Sequence, residues 1–151
     1  MGYESLKLTD IDKPDRKKLG LDVPVTMFRL IRLIGFGKLL GASSGAATYV
    51  VGKSVGETLG IKTAEEFLKL LEDLKIGIPR VMEMSEKKVV VQVSECVTCS
   101  GIPNIGETVC HFEAGLIAGA LGKILGKNAK TTETKCWGKG DKLCEFETFL
   151  F

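Results

Sequence analysis

Cys110, Glu133, Cys136 and Cys144 have the chemistry and the spacing of a structural metal site, and no other feature limits the fold as much. Thiolates favour Zn²⁺, a carboxylate can complete a tetrahedral set, and a closed set leaves no open position for catalysis. Residues 109–125 are almost entirely apolar apart from His111, Glu113 and Lys123, which reads as a core helix packed on more than one side. Cys110 stands at its expected start, where free N–H groups and the positive dipole end favour a thiolate. The tail reads as a hairpin, with a strand over residues 129–137, a turn from Gly138 to Asp141 and a return strand over 143–150. Cys136 and Cys144 flank that turn, so strand pairing draws their sulfurs together. Cys144, Phe146 and Leu150 share one face of the return strand, and Glu145 and Glu147 share the other.

Glu133 is the least secure member of the set. It lies three residues before Cys136, and strict alternation puts the two on opposite faces, so one ion can take both only if the strand bulges or ends there. On composition alone an exposed glutamate is the commoner outcome. Cys96 and Cys99 form a C-x-x-C after a valine-rich strand, KVVVQVSE, and offer a rival set with Cys136 and Cys144. They also fit a redox-active thiol pair, or two free thiols in a loop. His111, the only histidine, could replace Glu133 or act as an acid–base group, but adjacent helix positions point about 100° apart, which makes sharing an ion with Cys110 awkward. Trp137 and Tyr49 read as packing residues.

The remaining chain reads as one domain. Its 151 residues, 44% hydrophobic and 26% charged, allow a real core. Residues 1–20 form a polar arm, clustered around Pro14 and broken at Gly20. From Pro24 a helical stripe of Met27, Leu30, Ile31 and Ile34 opposes Arg29 and Arg32. A second helix is expected after Gly41 to about Leu59, with Gly52, Gly56 and Gly60 spaced for tight packing. Thr63 and Glu66 form a capping box ahead of Phe67, Leu70 and Leu71, and Pro79 ends that pattern.

Composition excludes several classes. A net charge of +2, from 21 basic and 19 acidic residues, is too small and dispersed for a nucleic-acid surface. No secretory signal and no membrane span is visible, so a cytoplasmic location is expected, and five cysteines in a reducing compartment argue for metal or reactive thiols over disulfides. Scarce amides beside abundant Lys and Glu point to a thermophilic source, where intracellular disulfides do occur, leaving Cys96 and Cys99 open to oxidation.

The run CHFEAGLIAGALGKILGKNAKTTETKCWGKGDKLCEFE resembles the signature of the 4-vinyl reductase domain family, through Cys110, Ala114-Gly115-Leu116, Glu133, Cys136, Gly140, Cys144 and Phe146. Glycine-rich helical character over residues 41–60 is similar too, so the resemblance spans residues 21–151. In family members that serve as aromatic-sensing domains of bacterial transcription activators, zinc is held by Cys, Glu, Cys and Cys at similar spacing, which favours Glu133. The resemblance further implies an α/β fold of the α+β kind, with an antiparallel sheet and packed helices like the vesicle-tethering TRAPP subunits. It also implies an apolar ligand cavity and a homodimer. The expected function is therefore a zinc-stabilised domain that binds a small hydrophobic or aromatic molecule. Alternatives are an accessory protein or reductase acting on a tetrapyrrole vinyl group, or a non-catalytic assembly subunit. No dinucleotide or flavin fingerprint supports an enzyme.

Overall fold

A computed structural model describes residues 2–151. Met1 of the expected polar arm lies outside the described residues; the rest of that arm is exposed almost throughout and includes one short helix, α1 (Leu8–Ile11). A longer helical run follows: α2 (Val25–Arg29) continues through a π-helical stretch, Leu30–Gly35, into α3 (Phe36–Leu40). Gly41, at φ +53°, turns the chain, and a 3₁₀ turn leads into α4 (Ser44–Thr58). Then come α5 (Ala64–Asp73), β1 (Ile78–Met84), β2 (Lys88–Ser94), α6 (His111–Leu125), β3 (Ala129–Lys135) and β4 (Cys144–Leu150).

The strands form one antiparallel sheet in the order β1-β2-β4-β3. β2 and β4 occupy its centre, and the pairs Val91–Phe146 and Val93–Cys144 lie on the inner face. Thr131, Thr148, Ala129 and Leu150 extend that face, and all are buried. Gln92 and Glu145 pair on the outer face, where the Gln92 amide donates to Glu145 Oε2 at 2.7 Å. Central placement explains why Val90 is buried along with Val89, Val91 and Val93, although alternation alone made the strand only half-buried.

α6 lies on β3 and β4, and α4 lies on α6. From Glu113 to Leu121 every residue of α6 is buried, as its nearly continuous apolar sequence requires. The α4–α6 contact is made backbone to backbone. A Cβ on Gly52 or Gly56 would strike the carbonyls of Phe112 or Leu116, and one on Gly115 or Gly119 would strike those of Tyr49 or Lys53. Gly60, the third member of the expected spacing, lies beyond the helix at φ +69° and has open space around its α-carbon. Phe67 of α5, Ile117 of α6 and Phe146 of β4 are the largest fully buried apolar side chains, each worth about 1.5–3 kcal/mol of transfer free energy. α5 starts on half of the expected capping box: the Glu66 amide donates to Thr63 Oγ1 at 3.2 Å, but the Glu66 carboxylate accepts from the Lys62 amide, at 3.1 Å, and not from that of Thr63.

Two elements depart from the sequence reading. β1 contains Pro79, taken there as a break; the strand tolerates it because β1 is an edge strand, irregular between Val81 and Glu83 and largely exposed. The helical run over 25–40 is inverted. Met27, Leu30, Ile31 and Ile34 are 46–52% exposed, whereas Arg32 is 7% exposed and Arg29 is bonded to the loop after β2.

Candidate metal centre and adjoining cavity

Each cysteine reaches its place through a local device. Cys110 is the residue just before α6, and its backbone N–H donates to Glu133 Oε2 at 2.9 Å. Glu133 sits on the inner sheet face opposite Phe146, and the β3–β4 register slips between Glu133 and Lys135. The strand then ends at Lys135 and the chain enters a 3₁₀ turn, Trp137–Lys139. This bulge and strand end resolve the alternation problem, because Glu133 and Cys136 are both buried at the same point. The turn is closed by the Cys136 amide donating to Asp141 Oδ2 at 2.9 Å, and Gly140 takes φ +94°. Cys144 opens β4, opposite Val93.

The donor atoms of Cys110, Glu133, Cys136 and Cys144 all lie within 4.8 Å of one another. Glu133 Oε1 is buried with no hydrogen-bond partner among the described residues. A carboxylate oxygen left bare beside three thiols is costly unless a cation meets it. The donor set therefore fits a tetrahedral thiophilic ion such as Zn²⁺.

Cys96 and Cys99 enter the same cluster by another route. The rival set with Cys136 and Cys144 is not the one brought together; Cys96 and Cys99 instead join Cys110 and Cys144, again within 4.8 Å. All five cysteines are buried and free of disulfides. The Cys96 and Cys110 sulfurs are 3.6 Å apart, those of Cys110 and Cys144 3.7 Å, and those of Cys99 and Cys144 3.1 Å. His111 is not part of either set; its ring packs toward Gly45 of α4.

Proton sharing dominates the electrostatics of this cluster. Hydrogen bonds from Cys110 above all, and then from Cys144, hold the Cys96 and Cys136 thiols well below their ordinary range. Cys110 is pushed up, chiefly by its bond to Cys136. Burial, then the neighbouring Cys136 charge, lifts Glu133 to about 9. The thiols still protonated, and Glu133, must shed protons to bind an ion.

Two arginines of the inverted helix support the cluster from behind. Arg29 donates from Nε to the Val97 carbonyl at 2.8 Å and from Nη2 to the Ser100 carbonyl at 2.9 Å, fixing the loop that carries Cys96 and Cys99. Arg32 donates from Nη2 to Glu113 Oε2 at 3.4 Å and stacks on Phe112, while Thr98 donates its hydroxyl to Glu113 Oε1. Sequence reading missed Arg29, Arg32, Thr98 and Glu113. Arginines opposite an apolar stripe look solvated, and the one available signal was a glutamate placed inside an otherwise apolar helix.

A cavity of about 680 Å³ adjoins this centre, within the size range of ligand sites. Its walls come from the π-helical stretch and Gly37 of α3, the start of α4, residues 105 and 107–109, His111, and Lys130 and Thr131 of β3. Val109 and His111, the neighbours of Cys110, both line it, as does Arg32, whose buried Nε has no partner among the described residues. Tyr49 lines it too, and its hydroxyl accepts the Thr131 amide at 3.1 Å. The Ile105 amide donates to the Gly138 carbonyl at 2.8 Å, so one cavity wall is tied to the turn after Cys136. No helix among the described residues is long and apolar enough to cross a membrane.

Residues 89–148 match the 4-vinyl reductase domain. An uncharacterised protein of Methanocaldococcus jannaschii is 34% identical over 134 residues, covering 89% of this chain and 82% of the relative. Among solved structures, a vinyl-4-reductase family protein from Methanocaldococcus jannaschii superposes with a TM-score of 0.67 at 23% identity, covering 89% of this chain and 85% of that one. The phenol-responsive sensory domain of the transcription activator PoxR, solved with phenol, gives a TM-score of 0.63 at 11% identity and coverages of 87% and 76%. Subunit 3 of the trafficking protein particle complex from Naegleria fowleri, covalently bound to palmitic acid, gives 0.61 at 14% identity and coverages of 83% and 96%. The fold is thus the α+β arrangement expected from the resemblance, and the chain belongs to the 4-vinyl reductase domain family.

Proposed function

We propose that this chain is a metal-stabilised binding domain for a small apolar or aromatic molecule. The observation that carries the reading is the 680 Å³ cavity whose wall includes both sequence neighbours of Cys110. Zn²⁺ held by Cys110, Glu133, Cys136 and Cys144 would pin the start of α6 to the β3–β4 hairpin. It supplies no reaction there, because a closed tetrahedral set has no open position. The chain's own residues do the rest: Tyr49 and Val109 offer apolar and aromatic wall, and Arg32 lines the same cavity. Phenol in the PoxR sensory domain and palmitic acid in the trafficking subunit support an apolar ligand. Reduced, metal-binding thiols suit a cytoplasmic setting.

The outward stripe of Met27, Leu30, Ile31 and Ile34 supports a homodimer, since an exposed apolar helix face of this kind is ordinarily covered. Metal content after purification without added metal, with Cys110→Ser and Glu133→Gln alongside, tests the ion. A thermal-shift panel of phenols, fatty acids and aliphatic alcohols tests the cavity. The expected result is bound zinc, weakened in both variants, and at least one compound class that raises the melting temperature. Protein without metal whose melting no apolar compound alters would sink the proposal.

A further inference from the structure

The predicted ligand set leaves two buried thiols beside it without a role. Cys96 and Cys99 are 1% and 0% exposed. They are presented from one tight turn, in which the Ser100 amide donates to the Cys96 carbonyl at 3.0 Å. Glu95 at φ +53° and Gly101 at φ +83° bend the chain on either side. A non-glycine residue held at positive φ is strained, and such strain persists where the surroundings fix a particular side-chain direction. Arg29 clamps the same turn through the Val97 and Ser100 carbonyls.

The two clusters of donors share Cys110 and Cys144 and no other member. One tetrahedral ion cannot engage all six side chains. An ion among Cys96, Cys99, Cys110 and Cys144 leaves the bare Glu133 Oε1 unmet. An ion in the other set leaves Cys96 and Cys99 idle against the two sulfurs it uses. Two ions give every donor a partner and each ion four ligands, provided two thiolates bridge, which their spare sulfur lone pairs allow. Metal–sulfur bonds of about 2.3 Å give a tetrahedral edge of about 3.8 Å. The two sulfurs that would form the shared edge, those of Cys110 and Cys144, are 3.7 Å apart. The Cys96–Cys110 separation of 3.6 Å fits as well, and the 3.1 Å between Cys99 and Cys144 must open slightly.

We infer that the chain holds two thiophilic divalent ions in edge-sharing tetrahedra, with Cys96 and Cys99 terminal on one, Glu133 and Cys136 terminal on the other, and Cys110 and Cys144 bridging both. This rests on the reading of Cys110, Glu133, Cys136 and Cys144 as a metal site and adds a second ion to it. The protons of the thiols and of Glu133 leave to solvent on binding. Five thiolates and one carboxylate outweigh two divalent charges, and Arg29 supplies positive charge on the Cys96–Ser100 side, while the charge of Arg32 is met by Glu113.

The test is elemental analysis with native mass spectrometry on protein produced with zinc and purified under reductant, compared with Cys96→Ser/Cys99→Ser and Cys136→Ser. Two zinc ions per wild-type chain, falling to one in the double variant with the fold retained by circular dichroism, is the expected result. Loading with Co²⁺ should give thiolate charge-transfer bands whose intensity grows through two equivalents. Its electron paramagnetic resonance should weaken on the second equivalent, as coupling through bridging sulfurs requires. One ion per chain, unchanged in the double variant, would overturn the inference while leaving the single site standing; no ion at all would overturn both. Labile sulfide, or a Cys96–Cys99 disulfide that persists under reductant, would also overturn it.

Discussion

Glu113 is buried within an apolar helix, bonded to Arg32 on one side and Thr98 on the other. Burial, and next the charge on Cys96, raises its carboxyl from 4.5 to about 7, against the opposing pull of Arg32 and Thr98. Burial, the larger cause, does not depend on what the thiols hold. A raised pKa means that folding favours the protonated form, so this contribution is whole below about pH 4.5 and is lost as pH rises through about 7. Across that window the wild type should lose melting temperature relative to Glu113→Gln, and the difference should stay flat above it. Parallel melting curves from acid to neutral pH would refute this. The pair was not legible in the sequence because its members lie 81 positions apart and Arg32, opposite an apolar stripe, reads as surface. Cys110, Cys136 and Cys144 were legible from chemistry and spacing. Glu133 needed the register slip after it, which no residue type announces. Cys96 and Cys99 were visible as a pair, but their partners depend on where a loop packs.

At the scale of elements, the hairpin, the Thr63 cap and the core helix could be read from sequence because each carries a local pattern that packing reinforces. The π-helical stretch, Leu30–Gly35, and the edge strand β1 carry no such pattern. The inverted face of residues 25–40 ran against the usual rule, because inside the fold Arg29 meets carbonyls and Arg32 meets a carboxylate. The α4–α6 contact makes a sharper demand. Gly115→Ala would push a methyl group into the Tyr49 backbone carbonyl. Overpacking of this kind costs about 1–3 kcal/mol or more, so the variant should melt well below wild type. Gly37→Ala is the control: it lies in α3 with nothing within 4 Å of the added atom. It should raise stability by about 0.5–1 kcal/mol, the difference in helix propensity. Equal melting of the two variants would remove the close-contact account.

For the whole molecule, the proposed dimer rests on the outward apolar stripe of a helical run whose arginines point inward. Ile31→Glu/Ile34→Glu should convert the proposed dimer to monomer in light scattering, because Ile31 and Ile34 are 50% and 52% exposed and charging them removes an apolar contact without disturbing the core. Zinc content should be unchanged, since neither residue touches the thiols; a wild-type monomer would dismiss the interface. The four glycines of the α4–α6 contact have a further consequence, one of inheritance. A side chain gained at Gly52, Gly56, Gly115 or Gly119 meets a main-chain carbonyl, which no compensating change of side chain can remove. Descendants of this sequence should therefore keep these four positions while exposed positions change. Two short diagonals of glycine should identify distant kin after overall identity has faded.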